Sequence, residues 1–276
     1  VSHVYDNAFN GCSSLEHVLI GETIQSIATN AFTGITSSCT VTLPNDTTNI
    51  PDSLFNGNTL RRYTVYTIGT VGSINRDSVT PVVGYWKAKI NNGVTTVSSN
   101  TFRADSGIGI GTTNHTNLVA MSIPSSVTSW DHAVIHNDNG VQSNLLSLYF
   151  PKDLRFVNTY AVAFTANYNN ILLQHVCESG RSNNILLNGY ERVFENNRNL
   201  RALILPYTLY ATSKHFAIRS DKLQLVNIFQ KNAATTLTHF AGDYTFQYSL
   251  LEEVYLPELI TWSNHTFHGN TVLKRL

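Results

Sequence analysis

The chain has 276 residues with 18 basic and 18 acidic side chains, and only 13% of its residues are charged. An average soluble domain carries about 25% charged residues, so neutral amides and hydroxyls must cover most of this surface. A neutral chain lacks the electrostatic footprint of a nucleic-acid-binding protein, and we expect no nucleic-acid partner and no direct membrane insertion by this segment.

The first predicted elements are three aromatic turns. Phe9, Phe32 and Phe55 lie 23 residues apart, and each is preceded by Ala or Leu and followed two positions later by Gly. Self-similarity at a fixed period of this length indicates a repeat array. A repeat array specifies a stackable scaffold, while its ligand depends on variable surface positions.

Each repeat contains two apolar segments. Val18 and Ile20 alternate with polar residues, as in a half-buried strand, and Ile24 and Ile27 mark a second short extended segment. The stretch from Asn30 to Gly34 is too short for an average helix and predicts a tight helical or 3₁₀ turn that carries Phe32 inward.

The same template recurs down the chain. An apolar residue followed by Pro marks the end of the first strand at Leu43-Pro44, Ile123-Pro124, Phe150-Pro151, Leu205-Pro206 and Leu256-Pro257. The aromatic corner recurs at Phe102, Phe194, Phe216 and Phe267. The spacing therefore predicts a β-rich solenoid of roughly eleven coils of ~23 residues, joined by short 3₁₀ or helical turns.

The repeat has a specific form. It reads Ala-Phe-x-Gly-Cys-x-x-Leu-Glu-x-Val-x-Ile from Ala8 to Ile20, and Ile-Pro-Ser-Ser-Val-Thr-Ser from Ile123 to Ser129. This form resembles the BspA-like leucine-rich repeats over essentially the whole chain, although the register between Ile171 and Phe194 is not fixed. The resemblance implies a right-handed leucine-rich-repeat coil. It also implies surface-exposed or secreted proteins that adhere to host or matrix molecules and share no catalytic site.

The domain organisation follows from the same register. We expect one continuous solenoid over 1–276, and an excerpt of a longer polypeptide cut within a repeat at both ends. Val1 and Val4 precede the first Phe by the offsets at which Ile24 and Ile27 precede the second. Neither end carries the polar cap that a solenoid needs.

Residues suited to chemistry are few. The local His clusters, His132 with His136 and His265 with His268, match no helix-borne metal motif. No set of nucleophile, base and carboxylate can be assembled. We expect no catalytic residue, no metal site and no cofactor, and we interpret the chain as non-enzymatic.

The three cysteines lie at or near inward positions of the repeat. Cys12, Cys39 and Cys177 are expected to be buried free thiols that pack as small hydrophobic residues. A disulfide between Cys12 and Cys39 is conceivable in neighbouring coils, but their different offsets from the preceding Phe argue against it.

Two outward surfaces are candidate binding sites. A basic and aromatic patch is formed by Arg61, Arg62, Trp86, Lys87 and Lys89 from consecutive coils. The patch is either an ordinary solvated face or a site for a ligand bearing a carboxylate, sulfate or glycan, because Arg pairs with anions and Trp stacks on sugars.

The second surface is an exposed apolar stripe on later coils. Its residues would be Leu146, Tyr149, Leu173, Val176 and Ile204. An exposed stripe of this kind is usually covered by a partner or by another part of the same protein.

Three long insertions interrupt successive coils at one corner. They span Arg103 to Asn117, Ile135 to Asn144 and Ala163 to Ile171, and they are rich in Gly, Asn and other polar residues. Insertions at one corner should stack into a single lobe, which is the usual recognition site on a repeat scaffold.

These observations favour a binding or adhesion module of a larger protein at the cell surface or outside the cell, with a protein or glycan ligand. The alternative is a structural component of a virion, a fibre or another extracellular assembly, in which the stripe and insertions contact neighbouring subunits.

Overall fold

The structure is a computed structural model. It describes residues 1–79, 82–102, 117–131, 134–137, 144–151, 156–157, 162–164, 175–179, 185–187, 202–205, 209–211, 225–228, 250–252 and 265–275. The chain divides into two compact units, Val1–Tyr66 with Val83–Lys87 and Thr67–Val82 with Ala88–Leu276. A single continuous domain over 1–276 stays a prediction.

The described secondary structure consists of short strands and two 3₁₀ turns, Asp52–Phe55 and Arg76–Ser78. The strands are β1 (His3–Val4), β2 (His17–Leu19), β3 (Ser26–Ile27), β4 (Thr40–Pro44), β5 (Thr59–Ile68), β6 (Val71–Ile74), β7 (Tyr85–Ile90), β8 (Gly93–Val97), β9 (Leu118–Ser122), β10 (Ser129–Trp130), β11 (Ile135–Asn137), β12 (Ser147–Pro151), β13 (Phe156–Val157), β14 (Val162–Phe164), β15 (His175–Ser179), β16 (Ile185–Leu187), β17 (Ala202–Leu205), β18 (Leu209–Ala211) and β19 (Leu225–Ile228).

In the first unit, the predicted strands of successive coils pair with one another. Strands β2, β4 and β5 are neighbours in that order and pair in parallel, with Val18 beside Val41 and Val41 beside Leu60. The second segments of the first two coils, β1 and β3, also pair in parallel, with Val4 beside Ile27. Apolar residues spaced by one coil therefore form columns in which Val4, Ile27 and Val41 are buried and Val18 and Leu60 partly buried.

The second unit repeats this arrangement. Strands β6, β8, β10, β13, β16 and β18 form a six-stranded parallel sheet, and β9, β12, β15, β17 and β19 are successive neighbours in another. The core column of the six-stranded sheet contains Ile74, Val97 and Trp130, each at most 1% exposed. The predicted fold class is confirmed: the chain is a parallel-sheet β-solenoid.

The aromatic turns have the predicted tight geometry. The Ala31 N–H donates to the Ala28 carbonyl at 3.0 Å, and the Ile35 N–H donates to the Phe32 carbonyl at 3.3 Å, which are i to i+3 bonds of the 3₁₀ type. Gly34, two positions after the ring, has φ of +80°. This left-handed conformation explains why Gly recurs there.

Two burial predictions need correction. Phe32 and Phe55 are buried, but Phe9 is 39% exposed, because among the described residues only the following coil stacks on its ring. Cys12 is exposed, since it lies in the turn after Gly11, whereas Cys39 is fully buried and both thiols are free. Cys177 lies in β15.

Proline marks strand ends as predicted. Strands β4 and β12 end at Pro44 and Pro151, and β17 ends directly before Pro206. Proline has no N–H to donate to the next strand, so it favours the end of a ladder. The pair Leu256-Pro257 lies outside the described residues.

Candidate binding surface

The predicted basic patch is largely occupied by contacts within the chain, and Arg62 is its clearest case. In the parallel ladder Arg62 pairs with Leu43, a core residue, so Arg62 occupies an inward column and not the solvent face. Its guanidinium donates to the carbonyls of Pro44 at 3.1 Å and Ile50 at 3.2 Å, and it forms an ion pair with Asp52. Adjacent residues of a strand point to opposite faces, so Arg61 and Arg62 cannot share one surface.

Trp86 is also not part of an exposed face, contrary to the prediction. It is 1% exposed and alternates along β7 with Ala88 and Ile90, which are buried as well. The Trp86 and Tyr66 rings form a T-shaped pair, with 6.3 Å between the ring centroids. Side chains alternate between the two faces of β7. Lys87 and Lys89 therefore share one face, and the Trp86 indole lies on the opposite face.

The remaining cations of the patch differ in their accessibility. The Arg61 guanidinium lies 4.8 Å from the centroid of the Tyr85 ring, a cation–π distance. The Lys87 side chain is only 13% exposed and forms an ion pair with Glu22. Lys89 is exposed. Of the five predicted residues, Lys89 is therefore the most accessible to a ligand.

Sequence reasoning missed Tyr63, which lies at the centre of this region. It is 1% exposed, and its hydroxyl donates to the Ile20 carbonyl at 2.7 Å, across 43 residues of sequence. Burial and the nearby Glu22 carboxylate raise the pKa of the Tyr63 hydroxyl well above its usual range. The hydroxyl is thus a hydrogen-bond donor that links β5 to Ile20, the residue after β2, across the intervening coil that contains β4.

The predicted apolar stripe is contradicted at Leu146. This residue is 5% exposed and is covered by the chain itself, beside the fully buried Leu145. The backbone N–H of Leu146 donates to the Val119 carbonyl at 3.1 Å, which fixes it against the preceding coil. Leu173 lies outside the described residues.

The register also separates the other stripe residues. Val176 pairs with Leu148 of β12 and with Leu203 of β17. Tyr149 instead pairs with Cys177. Because Val176 and Cys177 are adjacent in β15, Tyr149 and Val176 occupy positions on opposite faces of the sheet and cannot belong to one stripe.

The roots of the three predicted insertions are neighbours. The N–H of Phe102, directly before the first insertion, donates to the carbonyl of Val134, directly before the second, at 2.8 Å. The second insertion begins with β11, which pairs in parallel and in register with β14, where the third begins. The segments 103–116, 138–143 and 165–171 lie outside the described residues.

The described residues were predicted to include one local pair of histidines. His265 and His268 have ring centroids 5.4 Å apart, but nowhere in the described ranges do three or more His, Cys, Asp or Glu form a group suited to a metal ion. Within the same ranges, no helix has the length and apolar character needed to cross a membrane.

Comparison with known families agrees with this geometry. The model of the BspA type leucine-rich repeat region matches residues 2–139 and 141–274, in six copies. The chain belongs to this family. The match covers nearly all of the sequence, although its six copies differ from the roughly eleven coils that the spacing predicts. No curated protein and no solved structure shows a significant match.

Membership of the BspA-type family carries a coarse functional statement. Repeats of this type are commonly adhesion or binding repeats, usually on the cell surface or in secreted proteins, and their scaffolds are typically non-enzymatic. A repeat scaffold stacks through its conserved inward positions, so its partners are set by the surface that each chain adds to it.

Proposed function

We propose that this chain is a non-enzymatic binding module of a larger surface-exposed protein, and that its three insertions together contact a protein or glycan ligand. The observation that carries the proposal is the alignment of the insertion roots at Phe102, Val134 and Val162. Neighbouring parallel strands lie about 4.8 Å apart, so loops that start at adjacent roots are close enough to contact one ligand together.

The composition of the insertions suits recognition better than catalysis. The first contains Gly107, Gly109 and Gly111, and the second contains Asn137, Asn139 and Asn144. Such residues offer amide donors and acceptors and an adaptable backbone, as in other loop-built binding surfaces.

The basic patch has a smaller part in this proposal. Arg62 and Lys87 are engaged in ion pairs inside the chain, which leaves Lys89 and the cation–π pair of Arg61 with Tyr85 as the accessible residues. We therefore assign Lys89 a supporting electrostatic contact and the insertions the principal one.

The proposal is tested with a panel of matrix proteins and a glycan array. In three single variants, short Gly-Ser linkers replace residues 104–116, 138–143 or 165–171, so that the paired roots stay intact. Binding should fall in each variant and vanish when all three replacements are combined. Circular dichroism and thermal unfolding should be nearly unchanged, since polar segments rich in Gly and Asn contribute little to an apolar core.

The matched control is Lys89→Ala, which changes an exposed charge but leaves every insertion in place. It should weaken binding only modestly. Full binding by the triple replacement would refute the proposed role of the insertions. Self-association of the intact chain that disappears in the same variant, without any ligand binding, would instead assign them to an assembly contact.

A further inference from the structure

The sequence contains five Asn-Gly pairs, and this dipeptide is the one most open to spontaneous deamidation because glycine has no Cβ to hinder the reaction. Three pairs lie in the described residues, at Asn10-Gly11, Asn56-Gly57 and Asn92-Gly93. The pairs that begin at Asn139 and Asn188 lie outside them. The three described pairs differ in what holds the N–H of the glycine.

The glycine N–H matters because its nitrogen is the nucleophile of deamidation. The nitrogen attacks Cγ of the preceding asparagine, the new N–Cγ bond closes a succinimide ring, and the Cγ–Nδ2 bond breaks. The leaving group takes the proton of the attacking nitrogen and departs as ammonia. Water then adds to either carbonyl of the succinimide and gives aspartate or isoaspartate. A hydrogen bond that fixes the glycine N–H opposes the backbone rotation that brings this nitrogen to Cγ.

The glycine N–H groups of two pairs are fixed in this way. The Gly11 N–H donates to the Thr33 carbonyl of the neighbouring coil at 2.9 Å. The Gly93 N–H, at the start of β8, donates to the side-chain oxygen of Asn91 at 3.2 Å. Gly93 is also packed so closely that an added Cβ would clash with the Thr70 carbonyl. Neither nitrogen can therefore move without losing a contact.

The pair Asn56-Gly57 is held less firmly. It directly follows the 3₁₀ turn Asp52–Phe55, and both of its residues are exposed. Among the described residues, the Gly57 N–H has no hydrogen-bond acceptor, and nothing lies within 4 Å of a Cβ added at Gly57. The Asn56 ψ of 127° must change before the Gly57 nitrogen reaches Cγ, and no hydrogen bond of that N–H opposes the rotation.

We propose that Asn56 is a site of spontaneous deamidation in the folded chain, an inference that is independent of the proposed binding function. The isoaspartate product would lengthen the backbone by a methylene group between Phe55 and Asn58. The Asn58 N–H donates to the Phe55 carbonyl at 2.9 Å, and its side-chain amide donates to the Thr36 carbonyl at 2.5 Å. The longer backbone would disturb both bonds, so the modification replaces a packed turn by a looser, negatively charged one.

The test follows deamidation at each described Asn-Gly pair by peptide mass spectrometry, while the intact chain is incubated in mildly alkaline buffer. Asn56 should react about fivefold faster than Asn10 or Asn92, the ratio that corresponds to one hydrogen bond of about 1 kcal/mol. Ion exchange should separate the product of Asn56, because its formal net charge is −1 and that of the unaltered chain is 0.

The unfolded chain is the first control. Urea removes the hydrogen bonds of Gly11 and Gly93, so the three pairs should react at similar rates there. Asn56→Gln is the second control, because glutamine keeps the amide but has to close a larger ring, which forms more slowly. This variant should lose the fast reaction and leave the rates at Asn10 and Asn92 unchanged.

The structural consequence is tested with Asn56→Asp, which carries the charge of the product on a backbone of ordinary length. The purified isoaspartate form should unfold at a lower temperature than this variant. Equal stability of the two would refute the loosening of the turn.

Two results would overturn the assignment of the site. One is a rate at Asn56 in the folded chain that does not exceed the rates at Asn10 and Asn92. The other is a rate ratio that stays the same in urea, since the local sequence and not the fold would then set it.

Discussion

The rings of Phe9 and Phe32 are stacked almost in parallel, with 5.0 Å between their centroids and 5° between their planes. The centroids of the Phe32 and Phe55 rings are 5.7 Å apart, and the two ring planes are tilted by 50°. Each ring belongs to a separate coil, so the aromatic column crosses three coils at nearly the spacing of the strands. Phe32 has a ring on both sides and is 7% exposed.

Replacing the middle ring should be the most costly change in this column. Phe32→Ala should reduce the free energy of unfolding by about 3 to 5 kcal/mol, because it leaves a cavity between two rings. The measurement is urea denaturation followed by circular dichroism. Phe9→Ala is the control, and it should cost clearly less because Phe9 is 39% exposed. Equal losses in the two variants would contradict the buried column.

Gly34 allows a second test of the repeat. Its φ is +80°, and an added Cβ would lie 3.3 Å from the Gly11 nitrogen of the neighbouring coil. Gly34→Ala should therefore cost about 1 to 2 kcal/mol, from the left-handed conformation alone. Gly21→Ala is a matched control with an ordinary φ and nothing within 4 Å. If Gly34→Ala and Gly21→Ala lose the same unfolding free energy, the left-handed geometry of the turn at Gly34 is contradicted.

Arg62 should behave as a structural residue. Its side chain is 28% exposed and holds two carbonyls and a carboxylate, so Arg62→Ala should cost about 2 kcal/mol of unfolding free energy. Arg62→Lys should recover little, because an ammonium lacks the planar fork of donors. Lys89→Ala, on an exposed position, should stay within about 0.5 kcal/mol of the unaltered chain. Thermal and urea unfolding would show whether this ordering holds.

The raised pKa of the Tyr63 hydroxyl predicts that the folded chain loses stability at alkaline pH. Its pKa in the folded chain is raised by burial and by Glu22, while the unfolded chain should titrate near 10. The folded state keeps a proton that the unfolded state loses, so the contribution is full below about pH 10 and declines as the pH rises further. Tyr63→Phe should cost about 1 kcal/mol at neutral pH and flatten the decline above pH 10.

A second buried acid must be controlled in that experiment. Burial also raises the pKa of the Cys39 thiol, whose unfolded value is near 8.5, so its contribution declines at a lower pH. Cys39→Ala removes this earlier decline. The unfolding free energy is then measured against pH for Cys39→Ala and for Cys39→Ala with Tyr63→Phe. An equally steep decline above pH 10 in both variants would contradict the assignment to Tyr63.

The fold could be predicted from the sequence because its signals are local and repeated. The spacing of Phe9, Phe32 and Phe55, the following Gly residues and the Pro residues at strand ends each report a short-range constraint, and all agree. The parallel pairing of Val18, Val41 and Leu60 follows once the coils are aligned. Repetition thus supplied the long-range register that a single strand pattern lacks.

The surface was harder to predict because it depends on strand phase and on long side chains. A basic residue normally indicates a solvent-exposed position. Arg62 instead lies in an inward column, and its guanidinium reaches the Pro44 carbonyl at the end of β4. Trp86 fills the inward face of a strand whose other face is charged. Tyr149 and Val176 show the same sensitivity, since the register places these two predicted stripe residues on opposite faces.

The three insertion roots are joined through backbone groups, Phe102 to Val134 and β11 to β14, with no demand on side-chain identity. Mutations within one insertion can therefore accumulate without disturbing how its neighbours are presented. The sequences of the insertions can therefore change while the scaffold stays the same. The insertion roots are for this reason suitable sites for grafting. Foreign peptides of different length could be displayed side by side there in a chosen order.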